Sequence, residues 1–229
     1  MWHNILIKIS HKGTEIMTTF ILVRHGQSEA NRQGLFAGHS DFPLSELGER
    51  QAEKTAEYIL KDYTIDAIYS SDLRRAYSTA LPVSKLTQIK IIPETRLREI
   101  YAGDWESLSF DTIKEKFPDD RALWKDDIGN SRCTNGESVR ELADRILTRL
   151  TEIAEENDNK TVLVTFHATP IRAMQTLWQT GDLNEMKNTP WVANASVTVA
   201  EYENGTFYLK SVGQADHLSS LITTLPNKV

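Results

Sequence analysis

The chain has 229 residues, of which 40% are hydrophobic and 25% charged, with a formal net charge of -6 and one cysteine, Cys133. These figures read as a soluble globular chain of one domain without a linker or low-complexity run. The acidic balance argues against a general nucleic-acid binder, a lone cysteine allows no intrachain disulfide, and no apolar run is long enough to span a bilayer. The expectation is a cytoplasmic protein with no nucleic-acid and no membrane partner, in which any bound anion is held by a local basic pocket.

The opening stretch "MWHNILIKISHKGTEI" is interrupted by lysine and lacks a small-residue cleavage site, so it is not read as a signal peptide. Residues 1–16 are expected to be an extension outside the fold, with the domain running over 17–229. From Met17 the chain alternates short β-branched runs with longer segments whose apolar residues recur at three and four, which predicts an α/β fold. "TFILV" (19–23), "DAIYS" (66–70), "IKII" (89–92) and "TVLVTF" (161–166) read as buried strands. Leu44, Leu47, Ala52, Ala56, Ile59 and Leu60 mark one helix face, and Val139, Leu142, Ile146, Leu150 and Ile153 another, with Ser138 and Glu141 placed for a capping box. Residues 101–135 are richer in charge and turn formers and are expected to be a small lid insertion. "NASVTVAEY" and "TFYLKSVG", joined through Asn204-Gly205, predict a C-terminal hairpin. Trp105, Trp124, Trp178 and Trp191 are read as core, and nothing in the chain sets an oligomeric state.

In an open α/β sheet the ligand crevice lies beyond the carboxyl ends of the parallel strands. Arg24 and His25 directly follow the first strand, Arg74 and Arg75 follow "DAIYS", and His167 follows "TVLVTF". Glu99 follows "IKII" after a short connection and can reach the same rim. Each has a plain alternative reading. A lone histidine after a strand is ordinarily a cap or a packing residue, arginines in "LRRA" ordinarily lie on a solvated face, and Glu99 has Arg96 and Arg98 beside it for a surface ion pair. The joint placement at strand ends is what favours a site. Arginine forks match phosphate oxygens and repel a metal cation. None of the six histidines forms an HxH, HxxxH or HExxH pair, and no GxxxxGK[ST] loop is present. Phosphoryl transfer without a metal or a nucleotide loop is the chemistry left.

"RHGQSEAN", "SSDLRRAYSTA", "RLREIYAGDWES", "GESVRE", "FHATPIRA" and "NASVTV" together resemble the histidine phosphatase superfamily, in its phosphoglycerate-mutase-like branch, over residues 19 to about 218. The resemblance implies a single-domain three-layer α/β/α sandwich with a mostly parallel sheet and an antiparallel edge. It implies a catalytic set of His25 as nucleophile, Arg24, Arg75 and His167 around the phosphate, and Glu99 as proton donor. Asn31, Ala37, Gly38 and Ala168 fall in the phosphate and substrate site, and Arg74 faces solvent. The substrate is then a small phosphorylated metabolite, with no cofactor and no metal. Arg24 and Arg75 should hold His25 neutral, and Gly26 should let the backbone turn and approach the anion.

"IYAGDWESLS" after the acid, with "NASVTVAEYENG", resembles the broad-specificity phosphatases. Phosphoglycerate mutases carry "RHYG" and paired arginines there. The alternatives are a bisphosphoglycerate-dependent mutase and a non-catalytic phospho-ligand-binding module. The chain departs from the family pattern at Ala168, where a glycine is usual, and at Ala37, where a polar residue is common.

Overall fold

A computed structural model describes residues 17–224; the expected extension at 1–16 lies outside the described residues. Six strands form one sheet in the order β3-β2-β4-β1-β5-β6. They are β1 (Met17–Arg24), β2 (Ala67–Ser70), β3 (Ile91–Pro93), β4 (Thr161–Phe166), β5 (Val197–Glu203) and β6 (Thr206–Gln214). The first four run parallel, and β5 and β6 add an antiparallel edge. The mostly parallel sheet with an antiparallel edge that the resemblance implied is therefore present.

Strand β1 explains the layering. Its side chains alternate, so Phe20 and Leu22 enter one apolar cluster while Ile21 and Val23 enter a second on the opposite face. The second cluster is covered by α2 (Glu46–Asp62) and α3 (Arg74–Thr87), through Ala56, Ile59, Ala80 and Val83. The first is covered by α6 (Val139–Glu156) and α7 (Ala168–Thr180). Helix α6 begins with the expected capping box, in which Ser138 and Glu141 satisfy each other's backbone amides. No helix among the described residues is long and apolar enough to cross a membrane.

Two expectations change in detail. Residues 101–135 contain two short helices, α4 (Phe110–Lys116) and α5 (Pro118–Asp126), and are integral to the core: Trp105, Ile113, Trp124, Ile128 and Cys133 are all buried in the larger cluster. Most of the charge that suggested a lid lies on the outer face of these elements, Arg121 being buried, and the segment covers the strand ends as that reading expected. The hairpin strand begins at Val197 rather than Asn194, because residues 194–196 bond to the end of β1 instead of extending the ladder. Asn204 and Gly205 both have positive φ, as a tight two-residue hairpin requires.

Candidate active site

Strands β1 and β4 are adjacent and parallel, with Arg24 opposite Phe166, so the next residues, His25 and His167, leave the sheet side by side. Their ring centroids are 5.2 Å apart. On the far side of β4, strand β2 ends at Ser70, and Ser71 Oγ lies 2.8 Å from His167 Nε2. Arg75 lies in the first turn of α3, which is tied to the β1 end because Thr79 Oγ1 accepts from the Gly26 amide and donates to the Arg75 carbonyl. Parallel order and short βα connections thus converge residues far apart in sequence.

Both histidines are buried. The Nδ1 of His25 sits 2.7 Å from the Gly26 carbonyl, which can only accept; the proton is therefore on Nδ1 and the lone pair on Nε2. Burial, then the Arg75 and Arg24 guanidinium groups, holds the ring's pKa well below its ordinary value. His167 is lowered in the same way, by burial first and Arg75 second. The two arginines are themselves buried, and burial brings each down to about 10, so both remain cations at neutral pH. Arg24 Nη1 donates to the Val192 carbonyl, while Arg75 donates to the Ser40 and Gly38 carbonyls. Arg24 Nε, Arg75 Nε and His167 Nδ1 are buried without a hydrogen-bond partner among the described residues. A buried guanidinium N–H without a partner is costly unless an anion engages it.

Arg24, His25, Asn31, Ala37, Gly38, Arg75, Glu99 and Ala168 line one cleft, and His167 stands behind it against His25. Glu99 is nearly buried and pairs with neither neighbouring arginine: Arg96 bonds to Glu94 and Glu152, and Arg98 to Asp72. Its carboxylate instead accepts from the amides of Ile100 at 2.8 Å and Thr169 at 3.3 Å. Asn31 closes the first turn of α1 (Glu29–Gln33), and its Oδ1 accepts from the Ser28 amide and from Asn194 Nδ2, both at 3.1 Å. The amide NH2 is then the end Asn31 offers the cleft. Arg74 is exposed and bonds to Asp41. The thiol of Cys133 is buried, which pushes its pKa up and removes it as a competing nucleophile.

The geometry reinterprets three small residues. A Cβ on Gly26 would meet the Gly48 carbonyl oxygen at 2.5 Å, and its φ is not positive; Gly26 permits close packing on α2 rather than approach to an anion. Gly38 does have positive φ, +50°, and a Cβ there would strike Glu106. Its service to the cleft is the carbonyl that holds Arg75. Ala168 opens α7 with ordinary φ, so the glycine usual at this place is not required: the backbone amide of a helix N-terminus serves with either residue.

A family model for the histidine phosphatase superfamily, branch 1, matches residues 20–215, which span every residue of this cleft. The chain belongs to that superfamily. Among the relatives of this histidine phosphatase chain, phosphoserine phosphatase 1 of Hydrogenobacter thermophilus is 36% identical over 158 residues, 69% of this chain and 74% of that protein. An uncharacterised phosphatase of Bacillus subtilis, PhoE, is 32% identical over 206 residues, 90% of this chain and the whole of the other. The solved structure of YhfR from Bacillus stearothermophilus superposes with a TM-score of 0.84 at 28% identity, covering 88% of this chain and all of that one.

Several residues that build this histidine phosphatase cleft escaped the sequence reading. Asn194 Nδ2 donates to the His25 carbonyl as well as to Asn31, and Ala195, with φ +56°, sends its amide to the carbonyls of Arg24 and His25. Glu106 accepts from the amides of His39, Ser40 and Ala102 and so shapes the loop whose carbonyls grip Arg75. Ser71 positions His167. Each lies inside a motif that had been noticed, but its part depends on a partner more than thirty residues away. Trp191, expected in the core, lines the cleft with Leu35, Phe36, Phe110, Trp124 and Thr169. Only the packing of 101–135 over the strand ends brings those walls together.

Proposed function

We propose that this chain hydrolyses phosphomonoesters of small metabolites through a phosphohistidine formed at His25 Nε2. The observation that carries the reading is the Nδ1 contact to the Gly26 carbonyl, which points a neutral nitrogen lone pair into a cleft flanked by two buried arginines. Arg24 and Arg75 take the equatorial phosphoryl oxygens, with Asn31, His167 and the Ala168 amide completing the cradle. The Nε2 lone pair forms the N–P bond as the P–O ester bond breaks, and Glu99 delivers its proton to the leaving oxygen. Water then gives a proton to the Glu99 carboxylate and attacks phosphorus. The N–P bond breaks, inorganic phosphate departs and His25 returns to its starting tautomer. No step uses a metal. The names of the relatives, phosphatases in both proteins, support hydrolysis over mutase transfer.

The test is release of inorganic phosphate from an aryl phosphate in excess chelator. Wild type should turn over, His25→Ala should lose measurable turnover, and Glu99→Gln should fall by about 10²–10⁴-fold. Acid-labile label trapped on wild type and absent from His25→Ala identifies the intermediate. Turnover abolished by chelator, or retained in His25→Ala, overturns the mechanism. Interconversion of 3- and 2-phosphoglycerate dependent on bisphosphoglycerate makes the chain a mutase instead.

A further inference from the structure

The cleft has two chemically different halves. The charged groups Arg24, Arg75 and Glu99 gather with His25 and Asn31 at the strand ends. The rest of the wall is mainly apolar, with Leu35, Phe36, Phe110, Trp124 and Trp191 its large members and Thr169 its polar one. The aromatic part is set by its own packing: the Phe36 ring stands edge-on to Trp105, Phe110 and Trp124 at 5.6, 5.8 and 5.3 Å. Trp191 is backed by Arg172, whose guanidinium carbon lies 4.2 Å from the ring centroid. Arg172 donates to the Thr189 and Met186 carbonyls and does not line the cleft, so its charge serves the fold behind the ring.

Lys114, Arg121 and Lys125 line a neighbouring cavity that shares only Phe110 with the cleft. The Phe110 ring is a wall common to both, with the Arg121 guanidinium carbon 6.0 Å from its centroid. Within the cleft Arg24 and Arg75 are committed to the phosphate dianion, and Glu99 to delivering its proton to the leaving oxygen. A carboxylate on the ester arm would lose hydration against apolar walls and meet no third cation among the residues lining the cleft; an ammonium would be desolvated there with Glu99 engaged in proton transfer. A flat apolar arm instead displaces water from Leu35, Phe110 and Trp191, the partly exposed members of that wall.

We infer that the cleft is selective for phosphate monoesters whose ester arm is neutral and apolar, aryl or branched alkyl. It discriminates against arms carrying a carboxylate or an amino-acid group. This rests on the phosphomonoesterase reading and sets the chain's substrate class apart from phosphoserine, the substrate in the name of one of its relatives.

Unreactive phosphonates test the arm without the chemistry. Competitive inhibition is measured with benzylphosphonate, 3-phosphonopropionate and 2-amino-4-phosphonobutyrate, with inorganic phosphate as the reference that has no arm. The expected Ki of benzylphosphonate is at least about tenfold below that of either charged-arm compound. Trp191→Ala and Phe110→Ala should each raise it by about tenfold and leave the Ki of inorganic phosphate within about twofold. Leu35→Arg, which adds a cation to the apolar wall, should tighten 3-phosphonopropionate. A charged-arm compound binding as tightly as benzylphosphonate to wild type overturns the inference whether or not the variants fold. So does an equal loss of inorganic phosphate in the aromatic variants. If the phosphonates rank as expected but no ester is hydrolysed, the phosphomonoesterase reading fails and the arm preference stands as binding selectivity.

Discussion

His25 and His167 show how one residue's surroundings set both reactivity and a stability cost. Each is buried beside Arg75, and in each the charged ring is disfavoured, burial acting first. The unfolded chain takes up these protons as pH falls through about 6.5, while the folded chain does not until well below it. The unfolded state therefore binds more protons in that window, and stability falls as pH drops below about 6.5. Each histidine contributes a slope approaching 1.4 kcal/mol per pH unit there. Denaturant unfolding of wild type, His25→Gln and His167→Gln between pH 7 and 5 should show the slope reduced in each variant. His25, the proposed nucleophile, stays neutral over the same range, so kcat/KM should show no acid limb centred on 6.5. A limb at that value would mean that burial and the two arginines do not govern the ring.

At the scale of elements, the site depends on how closely the loop after β1 meets α2. A Cβ on Gly48 would come within 2.0 Å of the Gln27 carbonyl oxygen, and Gln27 also sends its amide to Gln51 on the same helix at 2.7 Å. Gly48→Ala must push α2 and the loop apart, at a cost of about 1–3 kcal/mol by overpacking. The displaced loop carries Gly26, whose carbonyl fixes the His25 tautomer, so kcat should fall more than the stability loss alone explains. Gly181→Ala is the control: its φ is positive, so an alanine there is strained, but a Cβ meets nothing within 4 Å and the residue ends α7 away from the cleft. It should lose stability and keep kcat. Equal kcat in the two folded variants would separate the Gly26–Gly48 contact from catalysis. A second brace runs through the chain's end: Gln51 Nε2 donates to Thr223 Oγ1, and Thr223 Oγ1 donates to Asn194 Oδ1. It orients the amide that holds His25 and Asn31.

Across the whole molecule, the cleft wall and the core are one body. Trp105 is fully buried, donates from Nε1 to Thr134 Oγ1 at 2.9 Å, and packs on Phe36 and Trp124, both of which line the cleft. Trp105→Ala should cost about 3–5 kcal/mol. It should do so in a single transition, with far-UV and fluorescence probes coincident, because residues 101–135 share the main apolar cluster. An early, separate transition would instead identify an independently melting lid.

Most strands, the long helices, the capping box at Ser138 and the turn at Asn204-Gly205 were legible in the sequence, because periodicity, caps and positive-φ residues are local properties of the chain. Strand β3 (Ile91–Pro93) is not the buried strand expected at 89–92, because it forms the sheet edge and leaves Ile92 exposed. The reactive set around His25 was legible too, since it falls where strands end and the order of a parallel sheet makes those ends neighbours. Neither the walls nor the braces were. Charge along 101–135 masked a buried face, and nothing adjacent to Asn194, Glu106 or Trp191 announces its partner. Local sequence determined which residues leave the sheet with chemistry to perform. The tertiary structure alone decided the tautomer of His25, the grip on Arg75 and the apolar half of the cleft, because each depends on an atom brought into contact only when distant segments pack.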